Sequence, residues 1–147
     1  MGAAFSRLRR RTSLLEVDPP VTRKDRSREL VLNIVDDADG ETTVGGIAEQ
    51  LAVDPSVASK MVTDCINSGF LERRASQQDG RRTVVVLTRK GIQLRDQFRS
   101  QHRQAFVQIT QDWPDRKRLQ FAQLLIDYVD ACTALTNHRG PNRVKQD

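Results

Sequence analysis

Apolar residues along the chain recur in patterns that predict a short series of elements. From Arg26 to Ala38, Leu30, Ile34 and Val35 repeat at helical spacing, and Asp39-Gly40 ends the pattern. Thr42–Val44 is short and β-prone. A second helix is expected from Val44 or Gly45 to about Leu51, with Ile47, Ala48 and Leu51 inward. Asp54-Pro55 starts a third. Asp54 can cap free N–H groups, and Pro55 suits the first turn, where its missing N–H costs nothing. That helix should run to about Ser68, with Gly69 as its left-handed C-terminal residue. Leu71 to about Ala75 reads as a strand and Thr83–Leu87 as its β-branched return, with the turn signal Asp79-Gly80 between them. Thr88 can cap a long helix to about Gln111. Asp112-Trp113-Pro114-Asp115 breaks it and starts another, which reaches about Thr136.

The fold class is mainly α (α+β): a helix-turn-helix followed by a two-stranded β wing, with long helices left for a dimerisation region. The expected divisions are a basic arm over 1–28, compatible with a short helix before Pro19-Pro20, a winged helix-turn-helix over 29–91, a helical region over 92–136 and a flexible tail over 137–147. Met1-Gly2-Ala3-Ala4-Phe5-Ser6 fits the myristoylation pattern, but that short signal has meaning only in eukaryotes, and the rest of the chain looks bacterial.

Composition narrows the function classes. The 147 residues amount to one domain of ordinary size, and 37% hydrophobic content is enough for a core. The longest unbroken apolar run is Val84–Leu87, far short of the roughly 20 residues a spanning helix needs. Neither a secretory h-region nor a C-x-x-C pair is present, and two cysteines make no disulfide framework. The P-loop, H-E-x-x-H and G-x-S-x-G patterns are absent, so no enzyme activity, metal or cofactor is expected. A soluble, cytoplasmic location is expected. The net charge of +5 is unevenly spread: residues 1–28 carry +5, 29–71 carry −7, 72–99 carry +5 and 100–147 carry +2. Nucleic acid is the first candidate partner, with phosphate contact falling to the two basic segments.

On a wheel of about 100° per residue, Ala58, Met61, Val62 and Cys65 share one side of the third helix. Ser56, Ser59, Lys60, Thr63 and Asn67 occupy the other. Such a face of small hydroxyls and one cation can enter a major groove and bond base edges. The plainer alternative is a solvated helix face. In the hairpin, Arg73 and Arg74 lead to the turn and Arg81 and Arg82 follow it, with Asp79 placed to hold the Arg81 guanidinium. An Arg at a hairpin tip can enter a narrow, electronegative minor groove. A solvated charged turn is the plainer alternative there too, but this hairpin directly follows the candidate reading helix.

With these residues in place, the sequence resembles the MarR family of bacterial winged-helix regulators. The family's D-x-R wing signature and closing L-T-x-x-G are matched at Asp79, Arg81, Leu87, Thr88 and Gly91. Ile47-Ala48-Glu49-Gln50-Leu51 leading into Ser56-Val57-Ala58-Ser59-Lys60-Met61-Val62 matches its helix-turn-helix. The resemblance is good from about Thr43 to Gly91. It implies a homodimer, a reading helix in the major groove and Arg81 in the flanking minor groove. It also implies dimer contacts from helices at both ends of the chain. Departures are the acidic helix-turn-helix region, and Pro55 and Val57 where members often carry basic or polar residues. The expected DNA-binding residues are Pro55, Ser56, Val57, Ser59, Lys60 and Thr63 on the helix, and Arg73, Arg74, Asp79, Arg81 and Arg82 on the wing.

The last helix supports dimerisation independently. Phe121, Leu125, Tyr128, Cys132 and Leu135 recur at spacings of 4, 3, 4 and 3, a heptad seam, with Leu124 and Val129 widening the stripe. Leu94, Phe98, Ala105 and Ile109 form a second stripe. Both stripes could instead cover each other within one subunit. A dimer would set two reading helices about one DNA turn apart, roughly 34 Å, and imply an inverted-repeat site. Cys65 reads as a small core residue, His102 as a satisfied core histidine on the apolar stripe, and Trp113 as a packed corner or an effector-pocket wall. The expected function is a sequence-specific, double-stranded-DNA-binding regulator, a repressor by family analogy, with room for a small-molecule effector. The alternatives are a winged helix used for protein contact, which the −7 stretch would suit, and a thiol-based redox switch.

Overall fold

The computed structural model describes residues 22–38 and 40–138. The basic arm before Thr22 and the tail beyond His138 lie outside the described residues, and with them the Met1–Ser6 pattern and the expected short N-terminal helix. The described residues form five helices and one antiparallel two-stranded sheet: α1 (Arg23–Asp37), α2 (Val44–Leu51), α3 (Pro55–Asn67), β1 (Leu71–Ala75), β2 (Thr83–Leu87), α4 (Arg89–Ile109) and α5 (Asp115–His138). Two compact units divide the chain between Phe106 and Val107.

Local chemistry sets the boundaries. Thr22 and Asp25 form a capping box: Asp25 N–H donates to Thr22 Oγ1 at 3.1 Å and Thr22 N–H to Asp25 Oδ2 at 3.0 Å. This fixes the start of α1 at Arg23, so the boundary expected at residues 28/29 falls inside a helix. Thr43 caps α2 through the Gly46 N–H at 3.1 Å, and Asp54 caps α3 through the Ser56 N–H at 2.7 Å, with Pro55 in the first turn. Gly69 follows α3 at φ 76, the left-handed conformation expected of it. Ala52, in the turn between α2 and α3, is also left-handed at φ 52, with its N–H donating to the Ala48 and Glu49 carbonyls. Nothing in the sequence signals that, since the position carries a Cβ.

The wing pairs Leu71 with Leu87 through to Ala75 with Thr83. Thr42 forms a bridge on the other side of β2, where the Val85 N–H donates to the Thr42 carbonyl at 2.8 Å. The β-prone character of Thr42–Val44 is thus used for a single rung before α2 begins. The core joins Val31 and Leu32 of α1, Ile47 of α2, Val62 and Cys65 of α3, Leu71, Val85 and Phe98. Of the apolar residues at helical spacing in α1, Leu30 is exposed, Ile34 and Val35 pack against the core, and Val31 and Leu32 fill it. A helix that meets partners over a wide arc buries adjacent residues, which a search for one narrow stripe misplaces.

In the second unit, Thr110–Pro114 turns the chain into α5. Trp113 meets Phe121 edge-on with ring centroids 5.6 Å apart, and Lys117 Nζ lies 4.7 Å from the Trp113 centroid. Trp113 therefore forms a packed corner.

Candidate nucleic-acid interface

The exposed side of α3 is short, polar and weakly cationic. Ala58, Val62 and Cys65 are buried and Met61 packs against the core. Pro55, Ser56, Val57, Lys60, Thr63 and Asn67 are exposed, and Ser59 is half-buried at the edge of that face. The cap leaves the Asp54 carboxylate at the head of the helix, and hydrogen bonding from Ser56 holds it below its ordinary value.

The wing tip is built by backbone and hydroxyl contacts. Ser76 N–H donates to the Arg82 carbonyl at 2.9 Å and Arg82 N–H to the Asp79 carbonyl at 2.8 Å. Ser76 Oγ accepts the N–H groups of Gln78 and Asp79 at 3.1 and 2.9 Å. Asp79 Oδ1 accepts the backbone N–H of Arg81 at 3.1 Å. This corrects the expected Asp79–Arg81 ion pair: Asp79 shapes the turn and leaves the Arg81 guanidinium exposed. A carboxylate two residues upstream reaches the backbone N–H as an Asx turn, more readily than a long side chain folding back. Arg74 also departs from a free role, since its Nε donates to Glu72 Oε1 at 2.7 Å. Among the described residues Lys60, Arg73, Arg81 and Arg82 are exposed and make no ion pair.

Glu41 was not singled out from the sequence, yet it anchors the wing base. Its carboxylate accepts the Ser76 hydroxyl and the Gln77 N–H, and the Ser76 bond foremost holds Glu41 below its ordinary value. Ser76 spaced three before Asp79 is a local turn signal; the reach from Glu41 spans thirty-five residues and has none.

The acidic stretch acquires a different meaning in three dimensions. Asp36 pairs with Arg95 and, at 2.7 Å, with Arg99, which also reaches Asp37 at 3.3 Å. Asp64 pairs with Lys24 at 2.7 Å and Arg28 at 2.9 Å, and hydrogen bonds from Lys24 first, then Arg28, lower its pKa. Glu29 meets His102 at 2.9 Å. His102 is thus a surface residue, its side chain 70% exposed, rather than the core histidine expected. Asp36, Asp37 and Asp64 of the acidic stretch are thus taken up by cations within the subunit, while Glu41 is engaged at the wing base, where the charge of Arg82 also acts on it.

A cluster behind the interface joins α1, the end of α3 and the start of α4. Arg28 also donates to Ser68 Oγ at 2.8 Å and stacks 5.2 Å from the Phe70 ring centroid. Lys90 lies 4.9 Å from the same centroid and donates to the Ser68 carbonyl at 2.9 Å. The Phe70 carbonyl accepts the Thr88 N–H at 3.0 Å, and Thr88 Oγ1 in turn accepts the Gly91 N–H at 3.0 Å. The Leu87-Thr88-x-x-Gly91 run closes the wing onto α4 in this way.

Cys65 is buried, and burial pushes its thiol up to about 11, with the Asp64 carboxylate adding to the effect. A thiol so protonated is inert at neutral pH. In the second unit Phe121, Leu125, Tyr128, Cys132 and Leu135 are all exposed in the single chain, as are Leu124 and Val129. Among the described residues no group of His, Cys, Asp and Glu is placed to hold a metal, and no helix is long and apolar enough to cross a membrane.

Residues 30–82 match the sequence profile of the MarR family. Solved structures match over most of the chain. The crystal structure of MarR aligns with a TM-score of 0.64 at 15% identity, over 76% of each chain. The PcaV transcriptional regulator of Streptomyces coelicolor, in complex with its natural ligand, aligns with a TM-score of 0.60 at 22% identity, over 89% of this chain and 92% of that one. S. aureus MepR bound to ethidium bromide aligns with a TM-score of 0.55 at 20% identity, over 78% and 81%. No curated protein matches by sequence. The fold is that of MarR winged-helix regulators, as the motif resemblance implied.

Proposed function

We propose that the protein is a sequence-specific DNA-binding transcription regulator acting as a homodimer on an inverted-repeat operator, a reading supported by the MarR-family profile match over residues 30–82 and by the shared winged-helix fold. One observation carries the reading. The exposed α3 face and the wing bring Lys60, Arg73, Arg81 and Arg82 to the surface without ion pairs among the described residues, while Asp36 and Asp64 of the acidic stretch are paired with cations of α1 and α4. Phosphate contact supplies most of the affinity, and the α3 face around Ser56, Ser59, Lys60 and Thr63 supplies base discrimination. Arg81, freed by the turn bond of Asp79, enters the flanking minor groove. The exposed seam of α5 forms the subunit contact. The regulator is cytoplasmic and bacterial, and it represses by occupying a promoter. A small-molecule effector relieves it, by analogy with PcaV bound to its natural ligand and MepR bound to ethidium bromide.

The protein-contact alternative is weakened, because Asp36, Asp37 and Asp64 of the acidic stretch are paired with cations within the subunit. A switch through Cys65 is disfavoured by its burial. The test is Arg81→Ala on a selected duplex across a salt series. We expect weaker binding and a salt slope reduced by about one unit. An unchanged affinity and slope would remove Arg81 from the interface.

A further inference from the structure

We infer that Val57 reads the 5-methyl group of thymine in the major groove, which makes thymine a required base of each half-site. The inference rests on the DNA-binding reading above and extends it to the chemistry of the operator. Val57 is 43% exposed and is the one large apolar side chain of α3 left open to solvent. The core does not use it: α3 contributes Val62 and Cys65 to the core, with Met61 and Ile66 packed against it. A single exposed valine means little by itself. Its position gives it meaning.

Val57 lies in the first turns of α3, the part of a reading helix that reaches base edges. Exposed Ser56 precedes it, and exposed Lys60, one turn on, makes no ion pair among the described residues. From Pro55 to Thr63 the exposed face carries no arginine, asparagine or glutamine. The bidentate readers of adenine are therefore missing from these turns. Hydroxyls from Ser56 and Thr63 can bond either donors or acceptors and discriminate weakly. Lys60 suits guanine O6 and N7, and an apolar surface suits the thymine methyl; Val57 offers the larger such surface in the first turns, with the Thr63 methyl about two turns on. Val57 supplies that apolar surface beside Lys60, so the half-site places a thymine close to a guanine.

The experiment selects duplexes from a random library with the purified protein, then replaces each thymine of the selected duplex by deoxyuridine, one position at a time. Deoxyuridine keeps the base pair and its hydrogen-bonding groups and removes only the methyl. Affinity is read by fluorescence anisotropy. One thymine per half-site should lose about fourfold on conversion to deoxyuridine, the worth of one buried methyl. Val57→Ala should weaken the thymine duplex by a similar factor and abolish the penalty at that position alone. The double-mutant cycle cancels any effect of deoxyuridine on DNA stiffness. Thermal melting checks that the variant is folded. If no thymine matters, or the full penalty persists in Val57→Ala, the inference is overturned while DNA binding stands. If no duplex is selected above background, the DNA-binding reading fails and the inference with it.

Discussion

Gly91 stands where the chain admits no side chain: a Cβ there would collide with the carbonyl oxygen of Phe70 and press on Leu87. Because the obstacle is backbone, the wing and α4 would have to separate. Gly91→Ala should cost about 2 kcal/mol or more, read as a lower urea midpoint at unchanged slope. Stability unchanged from the parent would show that the approach is slack. Residues acting on near neighbours were legible in the sequence. Asp54-Pro55 starts α3, Gly69 ends it, and Thr88 caps α4, because caps and turns depend on positions two to four apart. Asp79 was legible as a wing residue but not as a turn-former, since its choice between the Arg81 N–H and guanidinium is a matter of local geometry. Glu41 was invisible, its partner being reached only after the chain has folded back.

Among elements, the joint between α1 and α3 decides how the exposed face of α3 is presented. Asp64, on α3, holds Lys24 and Arg28 of α1, and Arg28 extends the contact to Ser68 and Phe70. The pKa of Asp64 is lowered from its ordinary 3.8 by these partners. Its contribution is therefore fully present above pH 3.8 and is lost as pH falls through the lowered folded value. With the Asp64 side chain a third exposed, solvent screening leaves about 1 kcal/mol. Asp64→Asn should lower stability by that amount at pH 7, and the gap from the parent should narrow below pH 3.8. Urea titrations at pH 7 and pH 3 measure it; a gap that stays constant would assign the loss to packing. The order of elements was readable because each has its own period and punctuation. The ion pairs joining them are not readable in that way: part of the −7 of residues 29–71 is met by Arg95 and Arg99, which lie 59 and 63 positions from Asp36.

At the scale of the molecule, the first unit holds the winged helix, and the second carries apolar residues that are exposed on α5. Leu119, Leu124, Leu125, Ile126, Tyr128 and Val129 are each more than two-fifths exposed. A patch of this kind marks an interface, and two copies of one heptad seam satisfy each other. Leu125→Glu, at mid-seam, should turn a dimer into a monomer in sedimentation and weaken DNA binding together with it. An unchanged sedimentation coefficient would place the subunit contact elsewhere. The periodicity of α5 was legible in sequence, whereas which molecule covers it is a property of the assembly. The central claim, that the protein reads a specific DNA sequence, is tested most directly by selecting genome fragments with the purified protein at about 0.15 M salt, where nonspecific phosphate binding is weak. The account predicts recovery of one inverted-repeat motif with half-sites about one helical turn apart. Fragments recovered at background, with no shared motif, would contradict it.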